Sequence, residues 1–322
     1  MIEKKSREYE IEDVFRTYGV LTREAGFYFY FSRKIRELRE CGHEGTARAY
    51  ASSLHSMQRY LGKKDFPFIK LSSRIISDYQ GKLLASGICD NTIGFYLHNI
   101  KALFRKGCRE MGLELPCPFR DISIKTEKTL KRSLDPVVIK TLSAIELEKD
   151  SPLSLARDIF MFSFYTRGMS FVDIALLKKR HVFPGEICYR RHKTDQLMRV
   201  GINKEISRIL ERYKNVPGEY IFPLFPAERD PYAGYRSAYH RIRYSLGKIS
   251  RVIGLEFPLR LHAARHSWAT IAKVNGASVH VIGECLGHTS EKTTRIYLKE
   301  LDHSALDAVN NQVADFILAV DD

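Results

Sequence analysis

The chain has no cysteine pair at C-x-x-C spacing. Its six cysteines, Cys41, Cys89, Cys108, Cys117, Cys188 and Cys285, are scattered over 322 residues. That argues against a zinc ribbon or a disulfide framework and fits a reducing compartment. Long hydrophobic runs are also lacking. The longest, IFMFSFY at 159–165, falls far short of the ~20 residues a membrane helix needs. The N-terminal MIEKKSREYE is charged and has no apolar core of a signal peptide. There is no internal repeat and no low-complexity tract. Acidic residues are in deficit: 38 against 52 lysines and arginines, a formal charge of +14. The expectation is a soluble, cytoplasmic protein with a polyanionic partner; a merely basic soluble protein is the alternative. An apolar content of 44% supports buried cores without disulfides or metal, and the length suits two domains.

The first part reads as helical. FYFYFSRKIREL (Phe27 to Leu38) passes from apolar to basic, and GTARAYASSLHSMQRYLG places Tyr50, Leu54, Met57 and Leu61 at helical spacing. DNTIGFYLHNIKALFRKGCREMG has Asp90 and Asn91 as N-cap candidates, an apolar stripe of Ile93, Tyr96, Leu97, Ile100, Leu103 and Phe104, and a stop at Gly112. Lys101, Arg105, Lys106 and Arg109 lie off that stripe, as a solvated face or as phosphate contacts. The segment LPCPFRDISIKTEKTLKRSLDP, with Pro116, Pro118, Lys125, Lys128, Lys131 and Arg132, reads as a basic linker. The expected domains are 1–115, a linker at 116–134, and 135–322.

The second part is mixed. Asp135 and Pro136 open a helix as cap and first residue. The run from Leu155 to Val182 reads as two buried helices broken near Gly168, and GEICYRRHKTDQLMRVGI (Gly185 to Ile202) as strand, polar turn, strand. From about Lys204 the pattern is helical again. One small hairpin among many helices predicts a mostly α fold with a small β-sheet, class α+β.

Chemistry concentrates in LHAARHSW, 261–268. Helical spacing places His262, Arg265 and His266 on one face. Zinc binding by the two histidines is not expected, because Ala263 stands where H-E-x-x-H has its general-base glutamate. Downstream lie LGH (Leu286 to His288) and TTRIYLK, with Tyr297 nine residues after His288. In order the chain offers Arg167, Lys193, His262, Arg265, His288 and Tyr297.

This ordered set resembles the tyrosine recombinase family of phage and transposon integrases, and LHAARHSWAT, CLGHTSEKTTRIY and RRHKT carry the resemblance. It covers the second half closely and the helical first half more loosely. It implies a SAM-like core-binding domain ahead of the catalytic domain, the two closing on duplex DNA as a C-shaped clamp. It also implies a nucleoid-associated enzyme that assembles on double-stranded DNA as two dimers or a tetramer, with accessory DNA-bending or directionality proteins among its allowed partners. Tyr297 would be the nucleophile, and His262, Arg265, His288 and Arg167 would face the scissile phosphate. Lys193 would be the general acid.

The chemistry accords with these residue types. A tyrosine oxygen attacking phosphorus conserves bond energy in a phosphotyrosine. Arginine forks match the non-bridging oxygens, and a lysine or histidine protonates the departing 5′ oxygen. No cofactor or metal is called for. Arg190 and Arg191 read as strand or DNA-backbone residues. His266 supports the site or packs inside.

One motif departs from the pattern. The family's first arginine sits in T-G-x-R-x-x-E, but the text here is TRGMSFVDIALL. If Asp173 takes the acidic position, Ser170 stands at the arginine's place and Arg167 lies three residues early. Asp173 is then a brace for an arginine or histidine, or a plain helix residue. Two rivals stay open: a type IB topoisomerase, with the same chemistry, and a non-catalytic DNA-binding protein on the same fold.

Overall fold

The computed structural model describes residues 26–125, 127, 133–225, 231–288, 290–298 and 313. The chain divides into two compact units between Thr129 and Leu130.

Among the described residues, the α-helices of the N-terminal unit are α1 (Phe27–Glu40), α2 (Glu44–Leu61), α3 (Ser73–Ala85) and α4 (Asp90–Glu110). Phe27, Tyr30, Phe31, Phe68 and Phe104 form an aromatic centre with Leu97, Ile100 and Leu103 of the α4 stripe. α1 begins at Gly26, which has no side chain to cap the open N–H groups. Asp65 does so from 37 residues away: its carboxylate accepts from Tyr28 N at 2.8 Å and Phe29 N at 2.9 Å. At α4 the expected caps are corrected. Cys89 is the N-cap residue, its side chain meeting the Thr92 hydroxyl at 3.2 Å and capping no backbone N–H, and Asp90 is already helical. Asn91 is used elsewhere: it donates to Glu127 O and accepts from Glu127 N, both at 3.1 Å. The stretch expected to be an open linker therefore belongs in part to this unit. Phe119 is buried in its core, Ile122 and Ile124 pack on it, and Gln80 donates to Ser123 O at 2.9 Å.

Near the start of the C-terminal unit, Leu134 N donates to Ser267 Oγ at 2.7 Å. Its helices are α5 (Pro136–Ala144), α6 (Pro152–Tyr165), α7 (Phe171–Ala175), α8 (Lys204–Arg212), α9 (Pro231–Val252), α10 (Leu261–Val274), α11 (Val279–Leu286) and α12 (Glu291–Tyr297). Asp135 caps α5 as expected, accepting from Val137 N at 2.8 Å. The sheet is antiparallel in the order β1 (Val182–Phe183), β2 (Glu186–Arg190), β3 (Leu197–Gly201). β2 and β3 are the expected hairpin, with Tyr189 opposite Met198 and Arg190 opposite Leu197. The two-residue β1 adds a third strand, too short to leave a periodic signal. α6 is central, with Ile159, Phe160, Met161 and Phe162 buried in the core.

α6 also buries a charge. Asp158 is 3% exposed and accepts from Arg157 Nε at 2.6 Å, Arg212 Nη1 at 2.7 Å and Tyr213 Oη at 2.9 Å. This pins the end of α8 to α6. Asp158→Ala leaves two cations and a phenol without their acceptor. The expected loss is about 3–5 kcal/mol of stability, measurable as a drop in the denaturant midpoint.

Candidate active site

The break between α6 and α7 builds the floor of the site. Arg167 and Gly168 adopt positive φ in succession, 60° and 76°. Such backbone is costly for an arginine, by about 1–3 kcal/mol, and strain of this kind gathers at functional sites. The turn presents the Gly168 carbonyl to Arg265 of α10, whose Nη1 donates to it at 2.7 Å. A Cβ on Gly168 would lie 2.6 Å from Arg265 Cγ and 2.9 Å from its Cα. Gly168 is required here twice over, for its conformation and for its lack of a side chain. Gly168→Ala is expected to displace Arg265 and lower the rate of DNA cleavage at least about a hundredfold. Single-turnover cleavage by the folded variant checks this.

Arg265 is buried at 4% exposure. Its Nη2 donates to Leu286 O at 2.5 Å and lies 3.0 Å from His288 Nε2. The LGH segment is thus wrapped around the guanidinium, with Gly287 as the left-handed C-cap of α11 (φ 64°). On its other side, His288 Nδ1 is 3.0 Å from the Thr294 hydroxyl of α12. Burial, then Arg265, Arg191 and Lys193, press the His288 pKa down to about 4. At neutral pH the ring is uncharged and accepts from Arg265. The unfolded chain binds this proton at a higher pH than the folded one. Acidification from about pH 6.5 towards 4 therefore destabilises the fold, and His288→Gln should flatten the stability profile in that window. Urea titrations at successive pH values measure it.

The β2–β3 hairpin closes another side. Lys193 stands exposed in its turn. Arg191 Nη1 donates to Gly287 O, tying the hairpin to the LGH turn. Asp173, 5% exposed, accepts from His192 N at 2.8 Å and from Ser170 Oγ at 2.6 Å. Asp173 is therefore a brace of the turn carrying Lys193. Tyr189 lies buried among these groups. Burial and the nearby Asp173 raise its pKa, against the influence of Arg191, Arg265 and Arg167.

The structure thus brings together Arg167, Lys193, Arg265 and His288. His262 is exposed on α10, its ring edge-on to the buried His266 at 4.9 Å. Arg167 is half-buried and its Nη1 is a long 3.5 Å from Arg199 O. Tyr297 is the last residue of α12, the helix that Thr294 ties to His288. The Tyr297 side chain lies outside the described residues, as do Lys128, Lys131 and Arg132.

Of the other basic candidates, Arg190 bonds the turn's own Asp195 at 2.9 and 3.2 Å. Lys106 is 4.0 Å from Glu110, and Arg105, Arg109 and Lys125 are exposed. Lys101 lies 6.0 Å from the Phe119 ring centre. The roles of Thr294 and Arg191 were not legible beforehand; both act through contacts that only the fold creates. Among the described residues, no helix is long and apolar enough to cross a membrane.

Comparison with known proteins agrees with this layout. The model of the phage integrase family matches residues 133–303, and that of the phage integrase SAM-like domain matches 26–119. Tyrosine recombinase XerC of Shewanella oneidensis is 26% identical over 226 residues, 67% of this chain and 70% of its own length. Tyrosine recombinase XerD of Pseudomonas putida is 24% identical over 262 residues, 79% and 86% of the two chains. Among solved structures, a lambda integrase dimer bound to a COC′ core site has a TM-score of 0.63 at 17% identity, covering 85% of this chain and 95% of that one. The Tn1549 transposon integrase in complex with circular intermediate DNA has a TM-score of 0.63 at 16% identity, covering 88% and 98%. A strained turn, a hairpin lysine and the H-x-x-R, LGH and tyrosine segments gather within one matched region, and the chain belongs to the phage integrase family.

Proposed function

We propose that the chain is a site-specific DNA recombinase acting through a 3′-phosphotyrosine. One observation carries this reading: the buried Arg265 meets His288, and His288 meets Thr294 on the helix that ends in Tyr297. Hydrogen bonds thus join the arginine and histidine segments to the helix that ends in Tyr297.

In the proposed reaction, the Tyr297 hydroxyl gives up its proton to water, its oxygen bonds to phosphorus and the bond from phosphorus to the 5′ oxygen breaks. Lys193 gives its proton to that 5′ oxygen. Arg265, Arg167, His262 and His288 face the non-bridging oxygens, where charge builds in the transition state. A 5′ hydroxyl from a partner duplex then attacks the phosphotyrosine, forms the new phosphodiester and releases the tyrosine. Two such exchanges pass through a Holliday junction and need four active sites, hence two dimers or a tetramer on DNA. The N-terminal helical unit and the C-terminal unit both contact the duplex. Lys101, Arg105, Lys106, Arg109, Lys125, Lys128 and Arg190 supply phosphate contacts, and Arg191 instead holds the hairpin. The protein acts at the nucleoid, and accessory DNA-bending proteins fit this scheme as further partners.

The test incubates the chain with randomised duplexes, denatures the mixture, and maps DNA-linked peptides by mass spectrometry. The expected adduct joins a 3′ phosphate to Tyr297, and sequencing of the products reveals exchanged strands. Adducts with relaxation of a supercoiled plasmid but no exchange favour the topoisomerase. Binding without any adduct leaves a DNA-binding protein only.

A further inference from the structure

α11 and α12 meet at a hydroxyl that takes no part in the proposed reaction. A Cβ on Gly283 of α11 would lie 2.8 Å from Thr294 Oγ1 of α12, so the two helices close here only because position 283 has no side chain. Gly283 O also accepts from His288 N at 2.9 Å, so one glycine sets the spacing of both groups. Thr294 is fully buried, at 0% exposure. The hydroxyls of Ser290 and Thr293, at the exposed start of α12, bond each other. Thr294 Oγ1 instead lies 3.0 Å from His288 Nδ1. On the far side of the ring, His288 Nε2 lies 3.0 Å from Arg265 Nη2. A guanidinium only donates, so Nε2 is the bare nitrogen and accepts. Burial and the cations Arg265, Arg191 and Lys193 keep the ring neutral at neutral pH. A neutral imidazole with Nε2 bare carries its proton on Nδ1. That N–H has the Thr294 hydroxyl as its acceptor.

We infer that Thr294 is a positioning residue: its hydroxyl fixes His288 in the Nδ1–H tautomer and so sets the nucleophile's helix in register with Arg265. This rests on the recombinase reading above and adds to it a residue that acts through His288. Without the hydroxyl, Nδ1–H faces an apolar group in a buried place, where an unmet donor is costly. The proton then favours Nε2, and that tautomer turns a donor towards the donors of Arg265. Arg265 and the ring no longer bond, and α12 loses its polar tie to the LGH turn. Tyr297 follows Thr294 by three residues at the end of α12, less than one turn of helix. A shift at Thr294 therefore reaches the backbone of Tyr297. In-line attack is sensitive to such shifts: a misplacement of about 1 Å costs about a hundredfold in rate. Threonine suits this place because its oxygen meets the ring N–H while its methyl group fills the interface with α11. Serine, alanine and valine separate the two properties.

The experiment reads the tautomer directly in the full-length chain, without DNA. Long-range nitrogen–proton spectra of histidine-labelled protein distinguish a protonated ring nitrogen from a bare one. His288→Gln identifies the His288 signals by their loss. At neutral pH wild type is expected to show Nδ1–H. Thr294→Ser keeps the hydroxyl and should keep that tautomer. Thr294→Val, with methyl groups and no hydroxyl, should move the proton to Nε2. Single-turnover cleavage of a duplex that wild type cleaves then gives the rates. Thr294→Val should be slower by about tenfold to a hundredfold at nearly unchanged DNA affinity, and Thr294→Ser should recover most of that loss. A packing role reverses the order, because valine fills the space and serine leaves a gap. If Thr294→Val does not fold, Thr294→Ala replaces it: it shares the lost methyl with Thr294→Ser and differs from it only in the hydroxyl. The inference is overturned if wild type carries its proton on Nε2, or if the hydroxyl-free variant keeps Nδ1–H. It is also overturned if Thr294→Ser cleaves no faster than the hydroxyl-free variant. Formation of the Tyr297 adduct by wild type in these cases confines the failure to Thr294. Nδ1–H in wild type with no adduct on any duplex overturns the recombinase reading, and the positioning of the nucleophile falls with it.

Discussion

Tyr297→Phe is expected to abolish the covalent protein–DNA adduct while leaving DNA binding within about twofold of wild type. The substitution removes one oxygen and keeps the aromatic ring. Among the described residues, the nearby hydroxyls are already engaged. Ser290 and Thr293 bond each other at 3.0 Å, and Thr294 is buried against His288. Loss should therefore fall on the chemical step, with affinity carried by the unaffected arginines and lysines. Denaturing gels score the adduct and a salt-controlled binding titration scores affinity. An adduct formed by Tyr297→Phe moves the nucleophile to another residue. Loss of binding together with the adduct marks Tyr297 as a structural residue.

What the sequence disclosed follows from how far each signal reaches along the chain. The apolar stripe of α4 and the cap of α5 are local, and both could be read from spacing. The H-x-x-R and LGH segments carry the family resemblance, and through it the meeting of Arg265 and His288 was legible without coordinates. Interactions that span many residues were not. Asp65 caps α1 from a different part of the chain, and Asp158 gathers Arg212 and Tyr213 from α8 and the residue after it. Asn91 has a cap-like identity and spacing, yet its side chain closes on the backbone of Glu127. The local rule yields there because the segment after α4 folds back on that unit.

Arg167→Ala is expected to slow cleavage by about 10³–10⁵, the range over which an arginine stabilises a phosphoryl-transfer transition state. Ser170→Ala should cost far less, although Ser170 stands where the resemblance expects an arginine. The geometry explains why the burden falls on Arg167. Ser170 Oγ is committed to Asp173 Oδ2 at 2.6 Å, and that carboxylate also holds the hairpin turn through His192 N. Ser170 therefore supports the position of Lys193 and carries no charge to offer a phosphate. Arg167 is held in a left-handed turn whose next residue gives its carbonyl to Arg265. Its backbone is thereby anchored beside the buried arginine, and its guanidinium has one long contact of 3.5 Å to give up. A phosphate next to Arg265 offers that guanidinium two oxygens in place of one carbonyl, a bidentate, charge-assisted pairing. Arg167→Lys should recover little of the rate, because a lysine supplies the charge without the planar fork. Single-turnover cleavage of a duplex selected by wild type compares the three variants. If Ser170→Ala proves more damaging than Arg167→Ala, the strained turn is scaffolding for Arg265 alone, and the charge opposite the phosphate comes from elsewhere in the site.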